Sequence, residues 1–473
     1  VAVRLAILLA LAGCVDDAKV VSPVIDQPVD DPDALAAPFD ELILTVAHAG
    51  NPRDLVSQAI PRGQDAVLPG IPFGDDLVFH MAGAVGNTNV AYGRTCPFQV
   101  AANRTTAPPH LFFSRTVKFG TLAASPRVRI GGLGIPYLGT AMLVGGTNGA
   151  DATQEVEMFD PATGALTELG RVAVRDHAVY ALVGTDPARV AVLGGVADGA
   201  GARFMEVLDG RQINRFDFLE TARTDLTATS LTDGRVIVIG GKDPATGLGS
   251  KAIDEVADND GTFEIRKLSV ELAKPRSGHT ATRLGDDVGA PVLIVGGVGD
   301  DGEPIKTAEL FKPLSASLAD PGTFHPELQK PRSGHVAALM PDGSVLVIGG
   351  VDALGLPALE LERFTVDSGF SIISTLPPST AVLDFAATTL TDGRILLTGG
   401  RISPSSPPLD TAYIVRLDPS DGSVDVVQTD HMSVPRAGHQ AVLLCDGTVL
   451  ISGGIGGQFP AERFNPPGTP DRR

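Results

Sequence analysis

Seven short runs of aliphatic residues recur along the chain, and each ends in a pair of glycines. The pairs begin at Gly145, Gly194, Gly240, Gly296, Gly349, Gly399 and Gly453, 46 to 56 residues apart. Four of the runs follow a tight polar turn: Asp233-Gly234, Asp342-Gly343, Asp392-Gly393 and Asp446-Gly447. Asp-Gly between two apolar segments is a hairpin signal, because a type I′ turn needs positive φ at both central residues. The segment before the turn (279–284 or 335–339) is therefore a first strand and the aliphatic run a second. The Gly-Gly pair marks where the chain leaves the sheet sharply. A third strand carries an acid and an aromatic, as in Glu157-Met158-Phe159, Glu309-Leu310-Phe311, Glu362-Arg363-Phe364 and Glu462-Arg463-Phe464. Turns at 161–164 and 418–422 lead to a fourth. Four strands in about 50 residues is the spacing of a β-propeller blade.

One order recurs most clearly at 275–311, 331–364 and 435–464: Pro-Arg-x-Gly-His, Asp-Gly, the aliphatic run with Gly-Gly, then Glu-x-Phe. It resembles the Kelch repeat, over roughly residues 110–473. The chain departs from that repeat in having no Trp. The resemblance implies a propeller, and seven Gly-Gly units imply seven blades. The last unit, 435–473, supplies only three strands. The strand-like segment 110–122 stands just before the first unit and is expected to complete the seventh blade and close the ring, which removes exposed edges.

Residues 39–109 do not repeat. Short strand-like segments at 42–46, 76–80 and 97–100 separated by Gly/Pro turns predict a small β-sandwich-like domain. Ahead of it, 1–13 reads as a signal peptide, with Arg4 followed by an apolar run too short to span a bilayer. Leu11-Ala12-Gly13-Cys14 matches the bacterial lipobox, so Cys14 is the expected lipidation site. Residues 14–38, rich in Asp and Pro, predict a disordered tether. The expected fold is all-β: a tether, a small sandwich-like domain and a seven-bladed propeller.

Charge narrows the partners. The net charge is −19, which repels phosphate backbones and argues against nucleic acid. Cys14, Cys96 and Cys445 are the only cysteines, too few for a disulfide-stapled scaffold, and none has zinc-ligand spacing. Cys445 stands in the ordinary position before an Asp-Gly turn.

His177, His279, His335 and His439 fall at one repeat position and could converge as metal ligands. The same position holds Leu226 and Phe385, which makes it a packing position. Arg223, Arg276, Arg332 and Arg436 precede it by three residues, while Glu255, Glu309, Glu362 and Glu462 lie on third strands. Unit six has Val382 and Val415 at these two places. Their joint loss predicts an Arg–carboxylate pair that ties the segment before the first strand to the third strand. A copper-radical oxidase of the galactose-oxidase type needs Tyr, Cys and His in a context that Tyr92, Tyr137, Tyr180 and Tyr413 do not provide. Residues 258–261 read as a strand turn rather than a calcium loop.

Catalytic, cofactor and metal residues are thus expected to be none. The variable loops after the Gly-Gly pairs (147–154, 242–254, 298–307, 401–411) are expected to gather on one face as a binding surface. The expectation is a lipid-anchored, extracytoplasmic binding or scaffold protein of the bacterial envelope, monomeric, with an envelope protein or glycan as partner and the membrane met only through its anchor. The alternative is a carbohydrate-active enzyme with its site at the channel mouth.

Overall fold

A computed structural model describes residues 18–466, apart from 33–38, 52, 62–69, 87, 103–106, 124, 150, 174–176, 186–187, 198, 211, 218, 260, 321–323, 381–382, 419 and 456–459. Cys14 and the segment 1–13 lie outside the described residues. Among the described residues all regular elements are strands. Seven four-stranded antiparallel sheets follow one another, an architecture of the propeller kind. Sheet 4, for example, runs Thr280–Arg283, Val292–Val295, Ala308–Lys312 and Ser317–Leu318. Sheet 5 runs Val336–Leu339, Val345–Ile348, Glu360–Thr365 and Gly369–Thr375.

The second strands explain the continuous aliphatic runs. Every residue of Val236–Ile239, Val292–Val295, Val345–Ile348 and Val449–Ser452 is buried. Successive side chains point to opposite faces, so each run packs against both neighbouring sheets. Ile237 of sheet 3 shares a cluster with Val292 and Ile294 of sheet 4, whereas Leu293 and Val295 join Val345 and Val347 of sheet 5. Leu346 and Ile348 pack with Ile395 and Leu397, and Leu396 with Val449 and Ile451. Leu450 then meets Ala141 of sheet 1, whose Met142 packs with Val190 and Val192 of sheet 2. Each such side chain contributes about 1.5–3 kcal/mol on burial. The outermost strands alternate instead, as in the exposed and half-buried positions of Thr262–Glu271.

Sheet 7 combines Gln440–Leu443, Val449–Ser452 and Glu462–Asn465 with an outer strand from far upstream, Lys118–Thr121, whose Phe119 lies opposite Phe464. Only this part of 110–122 joins the sheet. Ser114–Arg115 pairs with Thr88–Arg94, and His110–Phe112 pairs in parallel with Val24–Asp26. The segment is broken because Leu111 and Phe113 are drawn into the N-terminal core, and Val117 turns at positive φ (62°) before pairing resumes. The propeller therefore begins near residue 117 rather than 110.

The N-terminal part also differs from a sandwich. Glu41–His48, Asp54–Pro61, Gly74–Val85, Thr88–Arg94, Phe98–Val100 and Ser114–Arg115 form one six-stranded sheet. Its core of Leu44, Val46, Phe79 and Met81 is joined by Val21, Ile71, Leu111 and Phe113 from short flanking pieces, not from a second full sheet. Part of the expected tether is among those pieces. Ala18–Lys19 pairs with Ile71–Pro72, and Asp26 Oδ2 lies 2.7 Å from His110 Nδ1. Asp30 accepts hydrogen bonds from Thr121 N (2.9 Å) and Oγ1 (2.8 Å), and Asp31 lies 3.1 Å from Arg115, so these aspartates, read as repelling charge, are partnered.

The two parts are tied at the end where first strands turn into second strands. A disulfide joins Cys96 of the N-terminal part to Cys445 before the Asp446-Gly447 turn. Asn465 Nδ2 donates to Tyr92 O (2.7 Å) and Ser114 O (3.0 Å). The buried Arg463 pairs with Asp446 and lies 4.1 Å over the Phe112 ring, and burial pulls its pKa down to about 9. The disulfide spans 349 residues. Cys445→Ser should lower the unfolding free energy by about 3 kcal/mol, read by denaturant titration, with the parent falling to the same value under reductant. Equal stability of the two proteins in oxidising buffer would show that the bridge contributes nothing.

Candidate functional site

The repeat aligns by backbone conformation better than by residue name. Just before each first strand stands one residue at positive φ: Gly131, His177, Asp225, Gly278, Gly334, Asp384 and Gly438. Some of these hydrogen-bond to one another from unit to unit. Gly278 N donates to Asp225 O, Gly438 N to Asp384 O and Gly131 N to Gly438 O, at 2.8 to 3.1 Å. His177 thus occupies the glycine position, one residue ahead of His279, His335 and His439. Ala178 fills the packing position in unit two, and Gly132 in unit one. The histidine of unit two therefore stands one residue out of register with the other three.

The three aligned histidines are wedges between sheets. Nε2 of His279, His335 and His439 lies 3.0, 3.0 and 2.8 Å from the hydroxyls of Thr227, Thr280 and Thr398, each on the preceding sheet. The glycine they face has no room for a side chain: a Cβ on Gly240 would stand 2.7 Å from His279 Cε1, and one on Gly399 2.8 Å from His439 Cε1. Burial, helped by the neighbouring arginine, pushes all three imidazoles down to about 3. They are neutral packing groups directed to separate threonines.

The arginines pair with carboxylates as the joint loss in unit six suggested. Arg276 Nη2 reaches Glu309 at 2.7 Å, Arg332 reaches Glu362 at 2.6 Å and Arg436 reaches Glu462 at 3.1 Å. The partner of Arg223, however, is Asp254, not Glu255. Asp254 stands opposite Val238, the register of Glu309 opposite Ile294 and Glu362 opposite Val347. Glu255, one residue on, points to the other face, where Arg235 (2.6 Å) and Arg266 (2.8 Å) hold it. In unit six the corresponding residue is Tyr413, opposite Leu397, rather than Val415; Val382 lies outside the described residues. Unit one has the same pair in Arg129 and Glu157 (2.8 Å). It was hidden because Arg127, which follows Pro126, is exposed and pairs with Glu168. Unit two has the acid, Glu206, accepting from Ala173 N at 3.0 Å. Its arginine position falls on Arg175, outside the described residues.

Two units carry a further pair. Where the positive-φ residue is Asp, the residue after Gly-Gly is basic: Lys242 lies 2.9 Å from Asp225, and Arg401 lies 3.0 Å from Asp384. Where that residue is Gly, its counterpart is Thr147, Val298, Val351 or Ile455. His177 Nδ1 also stands 3.0 Å from Asp225. Burial alone would raise the Asp225 pKa, but hydrogen bonds from His177 and Lys242 outweigh it and bring it to about 2. These charges are partnered at the rim. First strands of sheets 1 to 5 line an open cavity of about 570 Å³. Its wall is largely apolar and hydroxylated, with Leu133, Val179, Thr227 and Thr280 among the contributors; Tyr180, His279 and His335 from three sheets also line it, and its described lining includes no carboxylate.

The loops after Gly-Gly lie beside the segments that carry the arginines. Lys242 bridges both Thr224 and Gly249; Val298 bridges Ser277 and Pro304; Val351 bridges Ser333 and Pro357. Such double pairing places these loops on the rim face, away from the Cys96–Cys445 end. The turn at 258–261 joins the third and fourth strands of sheet 3, with Gly261 N donating to Asp258 Oδ1 (2.7 Å).

No family model matches the chain. A curated relative, an F-box/kelch-repeat protein of Arabidopsis thaliana, is 26% identical over 215 residues, covering 41% of this chain and 44% of the relative. The match thus spans less than half the length of that relative. The solved structure of YjhT aligns over 62% of this chain and 93% of its own length, with 14% identity and a TM-score of 0.46. The match to the kelch-repeat protein supports a kelch-like repeat here.

The neutral histidines set a pH dependence. Each titrates near 6.5 in the unfolded chain and near 3 when folded, so the fold holds the uncharged form. Their contribution is complete above pH 6.5 and is lost as pH falls from 6.5 towards 3, by at most about 1.4 kcal/mol per pH unit for each. His335→Phe, which copies unit six, should flatten the fall of Tm between pH 6.5 and 4. A profile parallel to that of the parent would mean that the imidazole is open to water.

Proposed function

We propose that this chain is a closed, seven-bladed kelch-like propeller that binds a protein partner through the loops following its Gly-Gly pairs, held outside the cytoplasm by a lipid on Cys14. The observation that carries the binding reading is the division of labour within each unit. Arginine, acid and histidine are consumed in ties within and between sheets, and the loops beside them are free to differ. Ring closure is supported by Lys118–Thr121 pairing with Glu462–Asn465 and by the shared core of Leu450 with Ala141. An oxidising compartment is supported by the Cys96–Cys445 disulfide, since such bridges persist outside the cytosol. The lipobox motif supports anchoring at Cys14, where two or three acyl chains would hold the protein stably. A carbohydrate-active enzyme draws support from His177 beside Asp225 and from Tyr180, His279 and His335 on the cavity wall, and we place it second because that wall carries no carboxylate among its described residues.

Photo-crosslinking residues at Thr246, Asp301 and Leu354, compared with Thr232 and Asp392 on the opposite face, test the binding surface on intact cells. Discrete adducts from the first set alone are expected; equal yields from both faces, or none, would contradict the reading. Anchoring is read by metabolic labelling with an alkyne fatty acid. Label and membrane association should both vanish in Cys14→Ser, and label persisting in that variant would overturn the anchor.

A further inference from the structure

Three adjacent loops on the rim face are closed by hydrogen bonds of their own, and two of them present leucines to solvent. In unit three Asp243 Oδ1 accepts from Ala245 N (2.7 Å), and Asp243 N donates to Leu248 O (2.9 Å). In unit five Asp352 Oδ1 accepts from Leu354 N and Leu356 N, both at 2.9 Å, and Asp352 N donates to Leu356 O (3.0 Å). Leu248, Leu354 and Leu356 are 58%, 80% and 54% exposed. Between them the unit-four loop is closed by Gly299 N on Glu303 O (3.1 Å) and carries the exposed Asp300, Asp301 and Glu303. Asp300 Oδ1 also accepts Gly249 N (2.5 Å), which fastens the loops of units three and four together.

Exposed leucines on mobile loops could fold inwards, but these are fixed outwards by backbone and carboxylate hydrogen bonds. An interface formed on them loses little loop entropy on binding. Three carboxylates among the apolar anchors, on a chain of net charge −19, select a partner of the opposite sign.

Building on the loop-face reading above, we infer that the loops of units three to five form one docking surface for a protein that presents apolar side chains within a basic surround. A cationic partner is steered to the carboxylates of unit four, and Leu248, Leu354 and Leu356 become buried on contact.

The test uses the full mature chain with its disulfide intact and two synthetic peptides of equal length, one of Leu and Lys and one of Leu and Glu, read by fluorescence anisotropy. The Leu/Lys peptide should bind and the Leu/Glu peptide should not. L354S/L356S should weaken binding at least tenfold, D301N/E303Q should reduce its salt dependence, and L138S, on the opposite face, should change neither. No binding of the Leu/Lys peptide, equal loss in L138S, or self-association of the chain abolished by L354S/L356S would overturn the inference. The cellular crosslinking separates the two readings. A partner captured through Thr246 and equally by the L354S/L356S protein removes this surface but leaves loop-face binding standing, whereas absence of any loop adduct removes both.

Discussion

Five of the repeated units depend on a buried arginine that holds three segments of the unit together. In unit five Arg332 Nη1 donates to Gly349 O (3.2 Å) at the end of the second strand and to Glu360 O (2.9 Å) on the third, while Nη2 binds Glu362. The carboxylate in turn accepts Gln329 N (2.6 Å) and Lys330 N (3.2 Å) from the incoming segment. Arg276, Arg436, Arg129 and Arg223 repeat the bond to the first glycine's carbonyl at 2.7 to 3.1 Å. Burial lowers each guanidinium's pKa and the carboxylate opposes that fall. Buried pairs of this kind add little over an apolar substitute, but losing one partner costs about 3–5 kcal/mol. Unit six, with Tyr413 in the acid's place, is such a substitute within the same molecule. What the pair supplies is register, because the acid meets the arginine only when it stands opposite the residue two before Gly-Gly.

The buried arginines and acids are thus committed to ties within their own units. The aligned histidines are held neutral between sheets, and two of them, His279 and His335, border a cavity otherwise walled mainly by aliphatic and hydroxyl groups. The rim also varies, with Asp225 and Lys242, and Asp384 and Arg401, standing where other units have glycine and an uncharged residue, and the loops beyond it vary as well. A scaffold that fixes its own polar groups can change its loops without unfolding.

The repeat was legible in the sequence because strand periodicity, Asp-Gly turns and Gly-Gly pairs are local signals with fixed backbone requirements. The Arg–acid pair was legible too, since units could be compared with one another. Errors arose where residue identity and geometry part. His177 looked like its namesakes but sits at the positive-φ position, and Glu255 looked like the ligand of Arg223 although Asp254 has the register. The Cys96–Cys445 bridge is a long-range fact with no local signature. Its one hint was arithmetic: with Cys14 taken by lipid, two cysteines remain, and an oxidising compartment would pair them. The ordering of 18–32 was likewise hidden, because Asp26 and Asp30 look solvated until His110 and Thr121 are brought beside them.

The direct measurement is a double-mutant cycle on Arg332 and Glu362, with each residue and then both replaced by alanine and unfolding free energies taken from denaturant titration. If the pair is the unit's internal tie, each single variant loses about 3–5 kcal/mol and the coupling is about 2 kcal/mol or more. Additive losses, with coupling below about 0.5 kcal/mol, would contradict the account and return these charges to the pool of candidate functional groups.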